Sequence, residues 1–337
     1  MLATSSLQGS TAEREVQASL ETYRAVGTKQ SFLIAAAAGM GKTSFLEACV
    51  RHAQSRDRAI VVSGSVLASE GHFVHVLRTV DDRPAAELRD WKGGLLASLE
   101  SCRGQRLVLA IDDFDQLAYK RDELARILAA AAADPSGPLL LLTCAASTVD
   151  RILGSGRPFE NLLTTVSIEP LDEIAAEQLV QLRAPRLSEA ARRFVVHHAG
   201  GHPGAIVFAS RLIESLLEAG NGFDPRGALA AATEFAGAVY AEPWSALGPQ
   251  QRAVLWHLSG VRREAASVTQ IARSLVLQPS HVSAQLARLV AEGLIRRDGR
   301  GAYVIAPLLA QWISARGARA SLMTDSTSVP RPSGRER

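Results

Sequence analysis

Five short apolar runs punctuate the first half of the chain: Ser31–Ala36, Ala59–Ser63, Leu107–Ile111, Leu139–Thr143 and Leu163–Ile168. Each is about strand length, and four of the five are nearly continuous in apolar residues, as strands buried on both faces are. Between them lie segments of helical spacing, among them Lys42–Gln54 and Asp122–Ala133. An amphipathic stretch, Ala12–Val26, precedes the first run, with Leu20 and Tyr23 on one face and Val16 a turn before Leu20. Strand alternating with helix predicts an α/β fold built on a five-stranded parallel sheet. Residues 64–105 are longer than a plain crossover and are read as a small helical insertion.

After Pro170 the strand pattern stops. Leu171–Arg183, Ser188–Ala199, Ala205–Ala219 and Arg226–Tyr240 read as four helices, with Asp172-Glu173 and Ser188-Glu189 supplying caps and acids at helix starts. A different order follows. Pro249–Leu258 and Ser267–Leu275 read as helices, Gln278-Pro279-Ser280 as a turn, and His281–Glu292 as a recognition helix ended by Gly293. Leu294–Arg297 and Ala302–Ile305 then flank the turn Asp298-Gly299-Arg300-Gly301 as a hairpin. That order is a winged helix-turn-helix. The expected domains are residues 1–170 as the α/β core, 171–244 as a helical lid, 245–315 as the winged helix, and 316–337, rich in Ser, Thr, Pro and Arg, as a disordered tail.

The first apolar run leads into chemistry. Phe32–Ala36 passes through Ala37-Ala38-Gly39-Met40-Gly41-Lys42-Thr43-Ser44 into a helix, which matches the phosphate-loop pattern except for Ala36 at its first glycine. Gly39 and Gly41 let the backbone curl so that its N–H groups face inward around a phosphate, and the helix N-terminus adds about half a positive charge. Ala38, Gly39, Met40, Gly41, Lys42, Thr43 and Ser44 are therefore the candidate ATP-binding residues. Lys42 is expected on the β- and γ-phosphates and Thr43 on magnesium.

A second motif lies 70 residues after Lys42, in Leu107–Ile111 followed by Asp112-Asp113-Phe114-Asp115. An apolar strand ending in two carboxylates places them at the sheet edge where ligands collect. Asp112 suits magnesium, and Asp113 suits a general base or water-orienting role. The next run ends in Thr143. It faces the γ-phosphate if its strand lies between the other two, or else it is a capping residue.

These residues, with Gly200-Gly201-His202-Pro203-Gly204, resemble the AAA+/STAND ATPases, and in particular the archaeal-type ATPases and the initiator-like branch of AAA+. The resemblance spans roughly residues 12–315. It implies an AAA+-like sheet, ATP hydrolysis, and a lid whose Gly-x-Pro element (His202, Pro203) approaches the nucleotide; a plain helix-start turn is the other reading of that element. It also implies an arginine finger. Arg157, with Arg151, follows the Thr143 strand where the family carries one, though both also fit as ordinary surface arginines. Thr143-Cys144-Ala145 lacks the arginine of the plant and animal STAND immune proteins, which speaks against close kinship with them.

Charge changes the picture at the C-terminal end. The net charge is +3, yet residues 245–315 carry eight arginines against three acids, while residues 1–244 are net acidic. A basic winged helix fits DNA: His281, Ser283, Gln285 and Arg288, with Ser280, for the major groove, and Arg296, Arg297 and Arg300 for phosphates. Packing against the nucleotide domain is the alternative use of such a module. Glu70, His72 and His75 form a weak metal candidate. Three widely spaced cysteines, Cys49, Cys102 and Cys144, fit reduced core thiols rather than a disulfide framework. No membrane-length apolar run and no secretory leader is present, so a cytoplasmic protein is expected. Three functions stay open: a nucleotide-controlled DNA-binding switch, an oligomeric AAA+ loader in replication or transposition, and an ATP-gated scaffold that binds a partner protein in signalling or defence.

Overall fold

The structure is a computed structural model that describes residues 11–54, 58–63, 99–100, 103–104, 106–115, 122–220, 222–260 and 265–325. The insertion expected within 64–105 lies almost wholly outside the described residues, as do Cys102 and the trio Glu70, His72 and His75. The chain forms two compact units, Met1–Glu169 and Pro170–Arg337.

The first unit runs α1 (Thr11–Val26), β1 (Ser31–Ala36), α2 (Lys42–Gln54), β2 (Arg58–Ser63), β3 (Leu107–Asp112), α3 (Asp122–Ala133), β4 (Leu139–Ala145), a 3₁₀ turn (Ala146–Thr148), α4 (Val149–Leu153) and β5 (Leu163–Ser167). Its sheet is parallel throughout, in the order β2-β3-β4-β1-β5. Both faces are covered, which is why β1, β3 and β4 read as unbroken apolar runs.

Alternation sorts each strand between two cores. Leu33, Leu109, Ile111, Leu140 and Leu142 pack with Leu124 and Leu128 of α3. Phe32, Ile34, Val108, Ala110, Leu139 and Leu141 pack with α1 and α2 through Val16, Leu20, Leu46, Cys49 and Val50. Each such large side chain contributes roughly 1.5–3 kcal/mol of burial. The same parity decides the site. Counting on by twos, Asp112 follows Val108 and Ala110, and Thr143 follows Leu139 and Leu141, so both emerge on the face that α2 covers.

The second unit begins with α5 (Glu173–Arg183), α6 (Glu189–Ala199) and α7 (Pro203–Glu218), capped by Asp172, Ser188 and His202. The expected single helix 226–240 is instead two, α8 (Pro225–Phe235) and α9 (Gly237–Ala246), meeting at Ala236. Gly237 breaks the run, and it faces the indole nitrogen of Trp312, which a Cβ there would meet at 3.7 Å. Because α9 continues to Ala246, it crosses residue 244, where the lid was expected to end.

The winged helix follows: α10 (Pro249–Gly260), α11 (Val268–Leu275), α12 (Pro279–Ala291), β6 (Ile295–Arg297) and β7 (Tyr303–Ile305). A capping box of Ser267 and Gln270 starts α11. Gly293 (φ 64) ends α12 with bonds from Gly293 N to Val290 O and from Leu294 N to Leu289 O, a Schellman closure. An antiparallel bridge between Ala266 and Tyr303 adds a rung that the sequence did not suggest. A final helix, α13 (Pro307–Asp325), runs through the first part of the expected tail. It packs on α10, α8 and α6, and its Trp312 meets Tyr240 and Trp244 at ring separations of 6.0 and 5.8 Å. Helical bundle and winged helix therefore share one packed unit.

Candidate functional site

The loop after β1 turns through Gly39 (φ 74) and Gly41 (φ 88), conformations that L-residues avoid. Between them Met40 is buried against Ala36 and Ala37, which anchors the loop while its backbone stays at the surface. Gly39, Thr43 and Ser44 are exposed, and Ala38, Gly41 and Lys42 are half-buried. The Lys42 ammonium donates to the carbonyls of Ala36 and Ala37 at 3.3 and 3.2 Å. The cation is thus held over the mouth of the loop by neutral acceptors, with no carboxylate paired to it in the described residues.

Thr43, in the first turn of α2, donates to Asp112 Oδ2 at 2.6 Å. Thr143 donates to the other oxygen, Oδ1, at 2.5 Å. The same Thr143 hydroxyl accepts the Asp113 amide at 2.9 Å. One hydroxyl and one carboxylate thereby join three elements, α2, β3 and β4, at the C-terminal edge of the sheet. Strand order makes this possible: β4 lies between β3 and β1. Thr143 is fully buried and does not act as a helix cap. Asp113 takes a positive φ of 50, a strained setting for a non-glycine residue.

The donor set fits the expected ligands. Thr43 and Asp112 place a hydroxyl and a carboxylate oxygen side by side, hard donors of the kind magnesium takes. The positive-φ glycines and the N-terminus of α2 fit a phosphate. Asp115 was quoted in the sequence motif but given no role. Its Oδ2 accepts the Ala145 amide at 3.2 Å and the Thr148 hydroxyl at 3.4 Å. The signal for it was a third acid two residues past the pair.

Other candidates stand apart from this set. Arg157 lies in an exposed turn after α4, and its guanidinium has no bonded partner among the described residues. Arg151 is exposed on α4. In the second unit His202 is buried, and its Nδ1 accepts the Ala205 amide at 3.2 Å to cap α7, with Pro203 in the first turn. Gly200 and Gly201 both take positive φ, and a Cβ on Gly201 would collide with the Leu171 carbonyl at 2.4 Å. This loop is at minimum a tightly packed helix start.

On the winged helix, Ser280, His281, Ser283 and Arg288 are exposed on α12, while Gln285 is half-buried and bonds to Gln250 at 3.3 Å. The wing arginines do not act alike. Adjacent residues in a strand point to opposite faces, so Arg296 and Arg297 diverge. Arg297 donates to the hydroxyl of buried Tyr303 at 3.0 and 2.6 Å. Arg296, Arg297 and Arg300 are all exposed.

Among the described residues no helix is long and apolar enough to cross a membrane. None of the curated proteins matches the sequence. Residues 247–306 match the winged helix DNA-binding domain family. Among solved structures, the Walker-type ATPase PABY2304 of Pyrococcus abyssi is 17% identical, with a TM-score of 0.62 over 93% of this chain and 97% of that one. The ORC1 protein of Aeropyrum pernix in complex with DNA is 14% identical, with a TM-score of 0.56 over 95% and 97%. Cdc6p of Pyrobaculum aerophilum is 14% identical, with a TM-score of 0.53 over 94% and 97%. The chain thus shares the fold of these Walker-type ATPase, ORC1 and Cdc6p structures, with a five-stranded parallel sheet followed by helices and a C-terminal winged helix.

Proposed function

We propose that the chain binds ATP with magnesium and hydrolyses it, and that its nucleotide state controls DNA binding by the winged helix. The observation that carries this reading is the bonded set Thr43–Asp112–Thr143 beside a phosphate-type loop. Amides of Ala38–Ser44 and the Lys42 ammonium hold the phosphates, and Thr43 and Asp112 hold magnesium. When bound, magnesium neutralises phosphate charge. Asp113 orients or deprotonates the attacking water. His202 and Pro203 are proposed to approach the nucleotide from the second unit. Since bundle and winged helix share one packed unit, any displacement of the bundle carries the winged helix with it.

Support for DNA comes from the family match at 247–306, the exposed residues of α12 and the exposed wing arginines Arg296 and Arg300. The test is ATP turnover and DNA affinity measured together. Phosphate release should vanish in Lys42→Ala and Asp113→Asn, and DNA affinity should differ between ATP and ADP. ATP binding with no release would leave only a scaffold that binds a partner protein. DNA affinity indifferent to nucleotide would remove the switch.

A second reading, an oligomeric loader, is favoured by Arg157. An exposed guanidinium with no bonded partner among the described residues suits a finger reaching into a neighbouring copy, a role that raises turnover by roughly 10³–10⁵ where it exists. Particle size with a non-hydrolysable ATP analogue separates the two, since a lasting monomer excludes the loader.

A further inference from the structure

We propose that Asp115 is a positioning residue that staples the turn after β3 to the end of β4, so that Asp113 and Thr143 stay aligned during turnover. The inference rests on the ATPase reading for its consequence and on geometry for its mechanism. The β3–β4 ladder ends at the pair Ile111 and Leu142. Beyond that point backbone pairing no longer holds the two chains together, yet the residues that matter, Asp112, Asp113 and Thr143, all lie past it. Asp113 is also in a left-handed conformation that non-glycine residues seldom adopt, so the surrounding structure holds it there.

Side chains take over where the ladder stops. Thr143 accepts the Asp113 amide at 2.9 Å. Two residues further along each chain, Asp115 accepts the Ala145 amide at 3.2 Å. The turn is therefore fixed to β4 at both ends of a three-residue arc. Between the two fixings, Phe114 is fully buried and meets Phe159 edge-on at 5.4 Å. Thr148 donates chiefly to the Ala145 carbonyl at 2.8 Å, with Asp115 Oδ2 a secondary acceptor at 3.4 Å, which extends the tie into the segment that leads to Arg151 and Arg157. Asp115 is thus spent on β4 rather than on the Thr43–Asp112 pair.

The staple needs an oxygen acceptor and not a charge, which the test exploits. Turnover and amide hydrogen exchange are compared in the full chain for wild type, Asp115→Ala, Asp115→Asn and Thr148→Val. Asparagine keeps one acceptor oxygen. Asp115→Ala should lower kcat about 10- to 100-fold, the scale of a roughly 1 Å misalignment. It should leave KM for ATP within about 3-fold, because the phosphate grip is untouched. It should also speed exchange at the Ala145 amide. Asp115→Asn should keep both near wild type, and Thr148→Val should fall between. Asp115→Ala with unchanged kcat, unchanged exchange at Ala145, or Asp115→Asn as impaired as Asp115→Ala would each overturn the proposal. If wild type releases no phosphate, the ATPase reading fails on its own and the exchange comparison alone decides whether the staple exists.

Discussion

Thr143 gives its hydroxyl proton to Asp112 at 2.5 Å, and the same oxygen accepts the Asp113 amide at 2.9 Å. A buried hydroxyl used in both senses links β4 to both residues at once, and satisfied polar contacts are strong where water is excluded. Thr143→Val keeps the shape and removes the link. It leaves a buried N–H and a carboxylate oxygen unsatisfied, which costs about 1–3 kcal/mol. Denaturant unfolding should show that loss, and phosphate release should fall about 10-fold or more as the Asp113 turn relaxes. Thr143→Ser should recover most of both. A valine variant with undiminished turnover would show that the hydroxyl is only a packing feature.

The divergence of Arg296 and Arg297 separates two effects that share a charge. Both arginines are exposed, but Arg297 also holds the hydroxyl of buried Tyr303. If the wing meets phosphate, Arg296→Ala should reduce the slope of log affinity against log salt by about one and leave the melting temperature alone. Arg297→Ala should do the reverse, lowering stability by about 1 kcal/mol through the lost hydrogen bonds. Binding titrations at several salt concentrations, beside thermal melts, check both. Equal salt slopes in the two variants would contradict the assignment.

How much of this was legible depends on how local each relationship is. Lys42, Thr43 and the pair Asp112-Asp113 announce themselves because their pattern is contiguous and the strand before each is plainly apolar. The edge position of Thr143 could be foreseen only conditionally, since it depends on β4 lying between β3 and β1. Asp115 was invisible in role because its partners, Ala145 and Thr148, lie 30 and 33 residues away. The break at Ala236 was missed although Gly237, a weak helix former, lies inside the run. Strand alternation also separates Arg296 from Arg297, a distinction absent from the expectation that placed both on phosphates.

Val276 is a test of strain at the helix-turn-helix corner. It caps α11 with φ 53 and is 91% exposed. A β-branched residue in the left-handed region is held there at a cost of about 1–2 kcal/mol, with no burial to offset it. Val276→Gly removes the penalty but adds unfolded-chain entropy, so a net gain of about 0.5–1 kcal/mol is expected. The urea midpoint should rise with an unchanged denaturant slope. A lower midpoint would mean that the valine side chain packs on something in solution.

Cys49 and Cys144 are both fully buried thiols in the sheet cores. Burial, reinforced by the charge of Glu13, pushes Cys49 from its ordinary 9.0 up to about 12. Burial, with the charge of Asp115 adding and Thr148 and Lys42 opposing, pushes Cys144 up to about 12 as well. The neutral thiol is therefore kept in the folded state at pH values where an unfolded chain would already ionise. The sign follows directly: each thiol's contribution is intact below pH 9.0 and declines as pH rises toward 12, because unfolding then releases protons. In a Cys102→Ser background, alkylation at pH 8 should be slow until the protein is unfolded in urea. The urea midpoint should fall between pH 9 and pH 11, and Cys49→Ala, although less stable overall, should show a shallower fall. Rapid alkylation of the folded protein would mean that the sheet cores open far more readily than their packing implies.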